Sequence, residues 1–289
     1  MKKLIRYRQQ LASLAEQGLD DADGLACDSD SVLIGIPAAR LLLADQPDMY
    51  RGLVEGLNRL GVVAVDGQAP RLSDAGGQCR DVYYPFVLYL HLVAFGLRYE
   101  TLPVSLWGAC EAAIPAALAP VRACEAFSDR MPPPQFVDTV LWQALCVFKQ
   151  AKLLARDIDA EWVGGVVHQI ISHPGPGGSL HPFDMQTVGL DVWTCRELCG
   201  LHALVELSLL AGTSRWMERV DQIAAYHFEH TCSSSLVNWP WAVHAFARHS
   251  HACSFADQQI QDAVTHGGGR MGVLGAMLFA SAVKSMYDR

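Results

Sequence analysis

Asp28, Asp30 and Ser31 stand directly ahead of the apolar stretch Val32–Ala44. Residues of these types at that spacing can do one of two things. One aspartate or the serine caps a helix while the other carboxylate sits favourably at its positive end. Alternatively the three hold a carboxylic acid at the mouth of an apolar cavity. A second group lies in "LDVWTCRELCGLHAL", which carries Asp191, Trp193, Cys195, Arg196, Glu197, Cys199 and His202 among apolar residues. Cys195, Cys199 and His202 fall at i, i+4 and i+7, so they share a helix face and could offer sulfur and nitrogen to a metal. Buried cysteine more often serves as a small core residue, and no metal or other cofactor is expected. Arg196 and Glu197 are charges that burial would force into partnership. They either tie neighbouring helices together or form a polar lining that orients a substrate. Within "HPGPGGSLHPFD", His181 and Asp184 form a polar wall or acid–base pair at a site's mouth, or His181 is simply satisfied by backbone. "HGGGRMG" matches G-x-G-x-x-G in letters, but it follows a helical pattern and lacks the downstream acidic partner, so dinucleotide binding is rejected. What it does offer is Arg270 and free amides at a helix start, a candidate anion site.

These residues must be positioned by helices. Apolar residues recur at three- and four-residue steps over Lys3–Leu19, Val32–Ala44, Tyr50–Leu60, Val82–Leu97, Ser105–Ala119 and Gln135–Ala155. The pattern continues over Ala160–Ile171, Val192–Ala211, Arg215–His230, Trp241–His249, Phe255–Val264 and Met271–Tyr287. Sustained period-two alternation is missing, although "GVVAV" at Gly61 is compatible with a short strand. Connectors alternate between short ("DQPD", "RYETLP", "RDIDA", "GTS", "SHACS") and long, Gly/Pro/Asp-rich ones such as "DGQAPRLSDAGGQCRD" and "FSDRMPPP". Short links make helical hairpins, so the long connectors gather at one end. About twelve helices in six hairpins suit an all-α (α/α)6 toroid occupying residues 1–289 as a single domain, with an open solenoid as competitor. In a toroid, the helix after each long connector is the inner one, and Trp239-Pro240-Trp241 begins such a helix as a plug or as one wall of a pocket.

Composition narrows the function. The chain has 289 residues and a net charge of −8, is 51% hydrophobic and only 18% charged, and contains no dense Lys/Arg run, so neither disorder nor nucleic-acid binding is expected. The longest apolar run, "YYPFVLYLHLVAFGL", is shorter than the ~20 residues a membrane span needs, and the N-terminal lysines are not followed by a signal peptide's apolar stretch. Nine cysteines without framework spacing suggest a reducing compartment. A soluble cytoplasmic protein is expected, as a homo-oligomer or with a second subunit if its site is shared.

"DSDSVLIGIPAARLLLA" resembles the aspartate-rich motif of class II terpene cyclases, D-x-D-D before an apolar helix, and the preceding acidic segment "DDADG" is similar to the loop that leads into it. The wider family, with squalene–hopene cyclases and the β subunits of protein prenyltransferases, is built from α/α toroids. The chain departs from the pattern in having Ser31 at the fourth position, Pro37 within the helix and no Q-W repeats. The resemblance implies an apolar isoprenoid substrate, cyclised or isomerised by protonation, with Asp30 as proton donor and Asp28 and Ser31 as its hydrogen-bonding neighbours. An acid strong enough to protonate an alkene must be held neutral by desolvation, and the cation it makes is stabilised by aromatic faces. Tyr83, Tyr84, Trp142, Trp193, Trp239 and Trp241 are the candidates. Two readings from other classes remain open. One is a non-catalytic helical-repeat module binding a lipid, peptide or protein; the other is a carbohydrate-active toroid using carboxylates such as Asp184, Asp191 and Glu197.

Overall fold

The computed structural model describes residues 6, 9, 10, 12–15, 61–63, 71–73, 79–80, 137, 138, 140–142, 144, 145, 148, 160–181, 190–231, 241–249, 251–265 and 278–283. Five α-helices have defined bounds among the described residues: α1 Ala160–Ser172, α2 Leu190–Ala211, α3 Ser214–His230, α4 Val243–Arg248 and α5 Cys253–Thr265. The described residues within 6–15 and 137–148, and all of 278–283, are also helical. Each of these falls within or closely around a segment whose apolar spacing predicts a helix. The predicted helices Val32–Ala44, Tyr50–Leu60, Val82–Leu97 and Ser105–Ala119 lie outside the described residues.

The described chain is predominantly helical, and three short strands accompany the helices. The stretch 61–80 forms a three-stranded antiparallel sheet, β1 Gly61–Val63, β2 Arg71–Ser73 and β3 Cys79–Arg80. Val62 pairs with Leu72, and Leu72 in turn with Arg80. Val62–Val63 is the strand-compatible run at Gly61, while β2 and β3 sit inside what reads as a long connector. Runs of two or three residues are too short to display alternation, and the turn formers between them, "DGQAP" and "DAGG", dominate the composition.

Burial follows connector length. Every described helical stretch that comes after a long connector is buried deeply: the described residues 137–145, α2 from Glu197 through Ser208, Val243–Ala247 of α4, and 278–283. Helices that follow a short connector bury one stripe. In α3 that stripe is Trp216, Val220, Ile223, Ala224 and His227, the three- and four-residue spacing of a single face. Inner and outer helices therefore alternate along the described chain. Inner α2 packs on outer α3, inner α4 on outer α5, and the two inner helices on each other. No helix among the described residues is long and apolar enough to cross a membrane.

The turn from α2 to α3 takes two residues because Gly212 adopts φ 65°, a left-handed conformation available to glycine without steric cost. The Thr213 amide then reaches back to the Ser208 carbonyl at 3.3 Å, closing the last turn of α2 as a Schellman motif. At the start of α4 the same region of φ is occupied by a residue with a side chain: Ala242 has φ 55° and is fully buried. A left-handed alanine costs about 1–2 kcal/mol, and its methyl returns about 0.8 kcal/mol of burial. Ala242→Gly is therefore expected to leave stability within about 1 kcal/mol of wild type. Ala245→Gly, one turn on and equally buried, relieves no strain and should cost about 2 kcal/mol from helix propensity and lost burial together. Thermal or urea unfolding of the two variants measures the difference; equal losses would mean that Ala242 is unstrained.

Candidate functional site

Two polar clusters lie in the interior, both anchored on α2. Glu197 and His202 are five residues apart, so at 3.6 residues per turn they project about 140° from each other. They therefore face different neighbours.

Glu197 is wholly buried and surrounded by donors. Its Oε2 accepts the Leu180 amide at 2.8 Å and His227 Nε2 at 3.2 Å. Its Oε1 accepts the His181 amide, and His181 Nδ1 at 2.9 Å. The other ring nitrogen of His181 lies 3.3 Å from Asp138 Oδ1, on the inner segment 137–148, and the half-buried Arg196 approaches the same oxygen at 3.6 Å. Beyond His227, Nδ1 meets the Thr231 hydroxyl at 2.8 Å. The electrostatics follow from this geometry. Burial alone would raise the Glu197 carboxyl, but the hydrogen bonds and charges of His181 and His227 win and hold it down to about 2. Burial likewise works against an imidazolium at His181, yet hydrogen bonds to Asp138 and Glu197 raise it above its ordinary 6.5. With both ring nitrogens directed at carboxylates, His181 is the cationic centre of an Asp138–His181–Glu197 chain. Its donors and acceptors are matched, and the loop that bears it is also held at Ser179, whose carbonyl accepts from Arg219 at 2.9 Å. A carboxylate so fully engaged has no lone pair to spare for a substrate proton. This cluster ties the loop before His181, the segment 137–148 and α3 to α2.

The second cluster differs. His202 and Glu206, one turn apart on α2, face His244 of α4, and all three are buried. His244 Nε2 lies 3.2 Å and His202 Nε2 4.0 Å from Glu206 Oε1. Ser281 donates to that oxygen at 3.3 Å. The two imidazoles approach to 4.4 Å between ring centroids. His202 Nδ1 accepts the Ala242 amide at 3.0 Å, the donor that the left-handed Ala242 brings inward. Burial, with His244 adding to it, keeps His202 well below the usual histidine range despite Glu206, so it is neutral. Three buried nitrogens here lack a formed hydrogen bond: His202 Nε2 and both ring nitrogens of His244. Leaving buried polar atoms unmatched is costly, and these imidazoles contrast with the Glu197 carboxylate, both of whose oxygens are engaged. Trp142 and Trp241 wall it, with ring centroids 5.6 Å and 5.9 Å from His202.

Several expected site residues change meaning in this geometry. His181 is completely buried, and its ring meets Asp138 and Glu197, which ties the loop that bears it to α2. Arg196 and Glu197 both reach other elements, the helix-tying alternative. Cys195, Cys199 and His202 do not converge as a set. Cys199 Sγ accepts the Trp142 indole N–H at 3.1 Å, and burial above all raises both thiols, away from the thiolate a metal requires. Trp142, Trp193 and Trp241 are buried. Trp193 packs on Tyr226 and His227 beside the Glu197 cluster, whereas Trp142 and Trp241 pack on one another at 6.2 Å. Asp28, Asp30, Ser31, Tyr83, Tyr84, Asp184, Trp239 and Arg270, with the side chain of Asp191, lie outside the described residues.

Two residues of these clusters are not singled out by sequence reading: Asp138 and Glu206. Spacing does carry a signal for Glu206, since His202 and Glu206 at i and i+4 are polar residues on one face of an otherwise apolar helix. His227 and His244 read as histidines near helix ends favoured by the dipole. That account suits exposed His230; His227 and His244 instead point inward to carboxylates. No protein-family model, no curated protein and no solved structure matches the chain.

Proposed function

We propose that the chain is a toroidal (α/α)6 enzyme that cyclises or isomerises an isoprenoid by protonation, with Asp30 as the acid and Asp28 and Ser31 as its neighbours. The observation that carries this reading is the alternation of buried and half-exposed helices with connector length, because a closed ring of hairpins makes the same alternation around a central chamber. In the sequence the aspartate motif closes one of the long connectors, directly ahead of a segment whose apolar spacing predicts a helix. The buried indoles of Trp142 and Trp241, on inner elements, are of the kind that stabilises a carbocation. On this reading the protein works in the cytoplasm, consistent with free thiols at Cys195 and Cys199, and a second copy or subunit completes the chamber if one ring does not. The carbohydrate alternative loses support, because Glu197 is saturated by donors and too acidic to serve as a general acid.

Incubating wild type and Asp30→Asn with squalene and with farnesyl and geranylgeranyl diphosphates, followed by mass spectrometry of the products, tests the proposal. A cyclised or isomerised product is expected from wild type only, with the variant at least about 100-fold slower, the contribution typical of a proton-transfer group. Folded wild type that leaves every substrate unchanged would remove the enzyme reading. The close packing of Trp142, Trp241 and His202 favours the second reading in that case, a helical module that binds its partner without turnover.

A further inference from the structure

We infer that His202, Glu206 and His244 bind one divalent transition-metal ion of the zinc class. The inference is independent of the role proposed for Asp30. Two imidazoles and a carboxylate are a ligand set that such ions favour. Each residue offers one ligand atom, and those atoms all lie within 4.8 Å of one another. Bonds of 2.0–2.1 Å in tetrahedral geometry place ligand atoms roughly 3.3 Å apart. His244 Nε2 is already 3.2 Å from Glu206 Oε1, and His202 Nε2 stands 4.0 Å from the same oxygen.

A cluster of ligand-type residues is not by itself a site; the unmatched nitrogens are the second observation. His202 Nε2, His244 Nδ1 and His244 Nε2 are buried without a formed hydrogen bond. On the same helix both carboxylate oxygens of Glu197 find donors, whereas these imidazole nitrogens have none. An ion at Glu206 would engage the lone pair at Nε2 of each histidine and neutralise the buried carboxylate together with its ligands.

Loading has a defined chemical requirement. To ligate through Nε2, His202 must carry its proton on Nδ1, which at present accepts the Ala242 amide. Binding therefore exchanges that hydrogen bond for the metal bond, and the Ala242 peptide, already held in a left-handed conformation, must turn its N–H away. Three protein ligands leave a fourth position open for water or a substrate atom, the arrangement of reactive rather than purely structural zinc sites. Trp142 and Trp241 pack against the His202 ring, and the burial of all three ligand residues excludes bulk solvent.

The test uses the full chain stripped with a chelator and titrated with Co²⁺, whose visible absorption reports coordination, followed by displacement with Zn²⁺. One equivalent of Co²⁺ per chain is expected, displaced by Zn²⁺. Glu206→Gln and His244→Ala should each weaken binding at least about 100-fold, since even outer-shell changes around a metal cost 10- to 100-fold. His230→Ala is the surface control, because His230 is more than half exposed, and it should bind as wild type does. Should a ligand variant fail to fold, Zn²⁺ must still raise the unfolding midpoint of wild type where Mg²⁺ does not. The inference is overturned by a folded wild type with no cobalt spectrum and no such shift. It is equally overturned by undiminished binding in folded Glu206→Gln and His244→Ala, or by loss of binding in His230→Ala.

Discussion

Glu197→Gln is expected to cost about 3 kcal/mol and to flatten the dependence of stability on pH. The magnitude rests on two considerations. Lowering a carboxyl from 4.5 to about 2 expresses about 3 kcal/mol of preference for its charged form, and breaking a buried charge pair typically costs 3–5 kcal/mol. Glutamine keeps the shape but presents an NH₂ group toward donors, and it removes one of the two carboxylates that face the His181 ring. The direction with pH is also fixed. The depressed carboxyl contributes stability above its unfolded value near 4.5, and this is lost as pH falls toward about 2. The raised His181 contributes below about 6.5, and its share is lost as pH climbs through the folded value. Both contributions are complete only between about 4.5 and 6.5. Urea unfolding of wild type and variant across pH should show the largest gap inside that window and a shrinking gap on either side. A gap constant with pH would mean that Glu197 acts through packing alone.

The second large effect is expected at Trp142. Its ring is 2% exposed, it touches His202 and Trp241, and its indole N–H is spent on Cys199. Through it the inner segment 137–148 meets both α2 and the turn that leads into α4. Trp142→Ala removes a large buried ring where three elements converge, and about 4 kcal/mol should be lost, within the range for such truncations. Trp142→Phe keeps most of the apolar surface but leaves Cys199 without its donor and a gap where the larger ring was, for a loss of about 1–2 kcal/mol. Equilibrium unfolding distinguishes the two. A cost below about 1 kcal/mol for the alanine variant, outside the range for a buried tryptophan, would mean that neighbouring side chains refill the space and that Trp142 does not key the inner elements together.

How much of this could be read from the residues depends on the range of the interactions involved. Helices such as α2 and α3 were legible because an apolar stripe repeats over many turns, and their hairpin because "GTS" is too short for any other arrangement. Connector length also anticipated which helices are buried. The sheet at 61–80 was only half legible, since Val62–Val63 announces a strand but "RLS" and "CR" carry no periodicity. At the sites the limit is sharper. Glu197 stood out as a charge on an apolar helix, yet its partners His181, His227 and Asp138 come from other elements and no local spacing ties them to it. The placement of His202 shows the same limit. Helix geometry groups it with Cys195 and Cys199 as readily as with Glu206, and only the approach of α4, which brings His244, decides between them.

The saturation of Glu197 has a consequence for the order in which the chain matures. Its donors include two loop amides and a histidine in the last turn of α3, while Asp138 at the far side of His181 belongs to a segment synthesised well before either. During translation that early segment emerges with a carboxylate whose histidine partner is not yet fixed, and His181 in turn waits for Glu197. The interior around residues 137–181 therefore cannot set until the α2–α3 hairpin has left the ribosome, so truncation anywhere before Thr231 removes more of the fold than the residues it deletes.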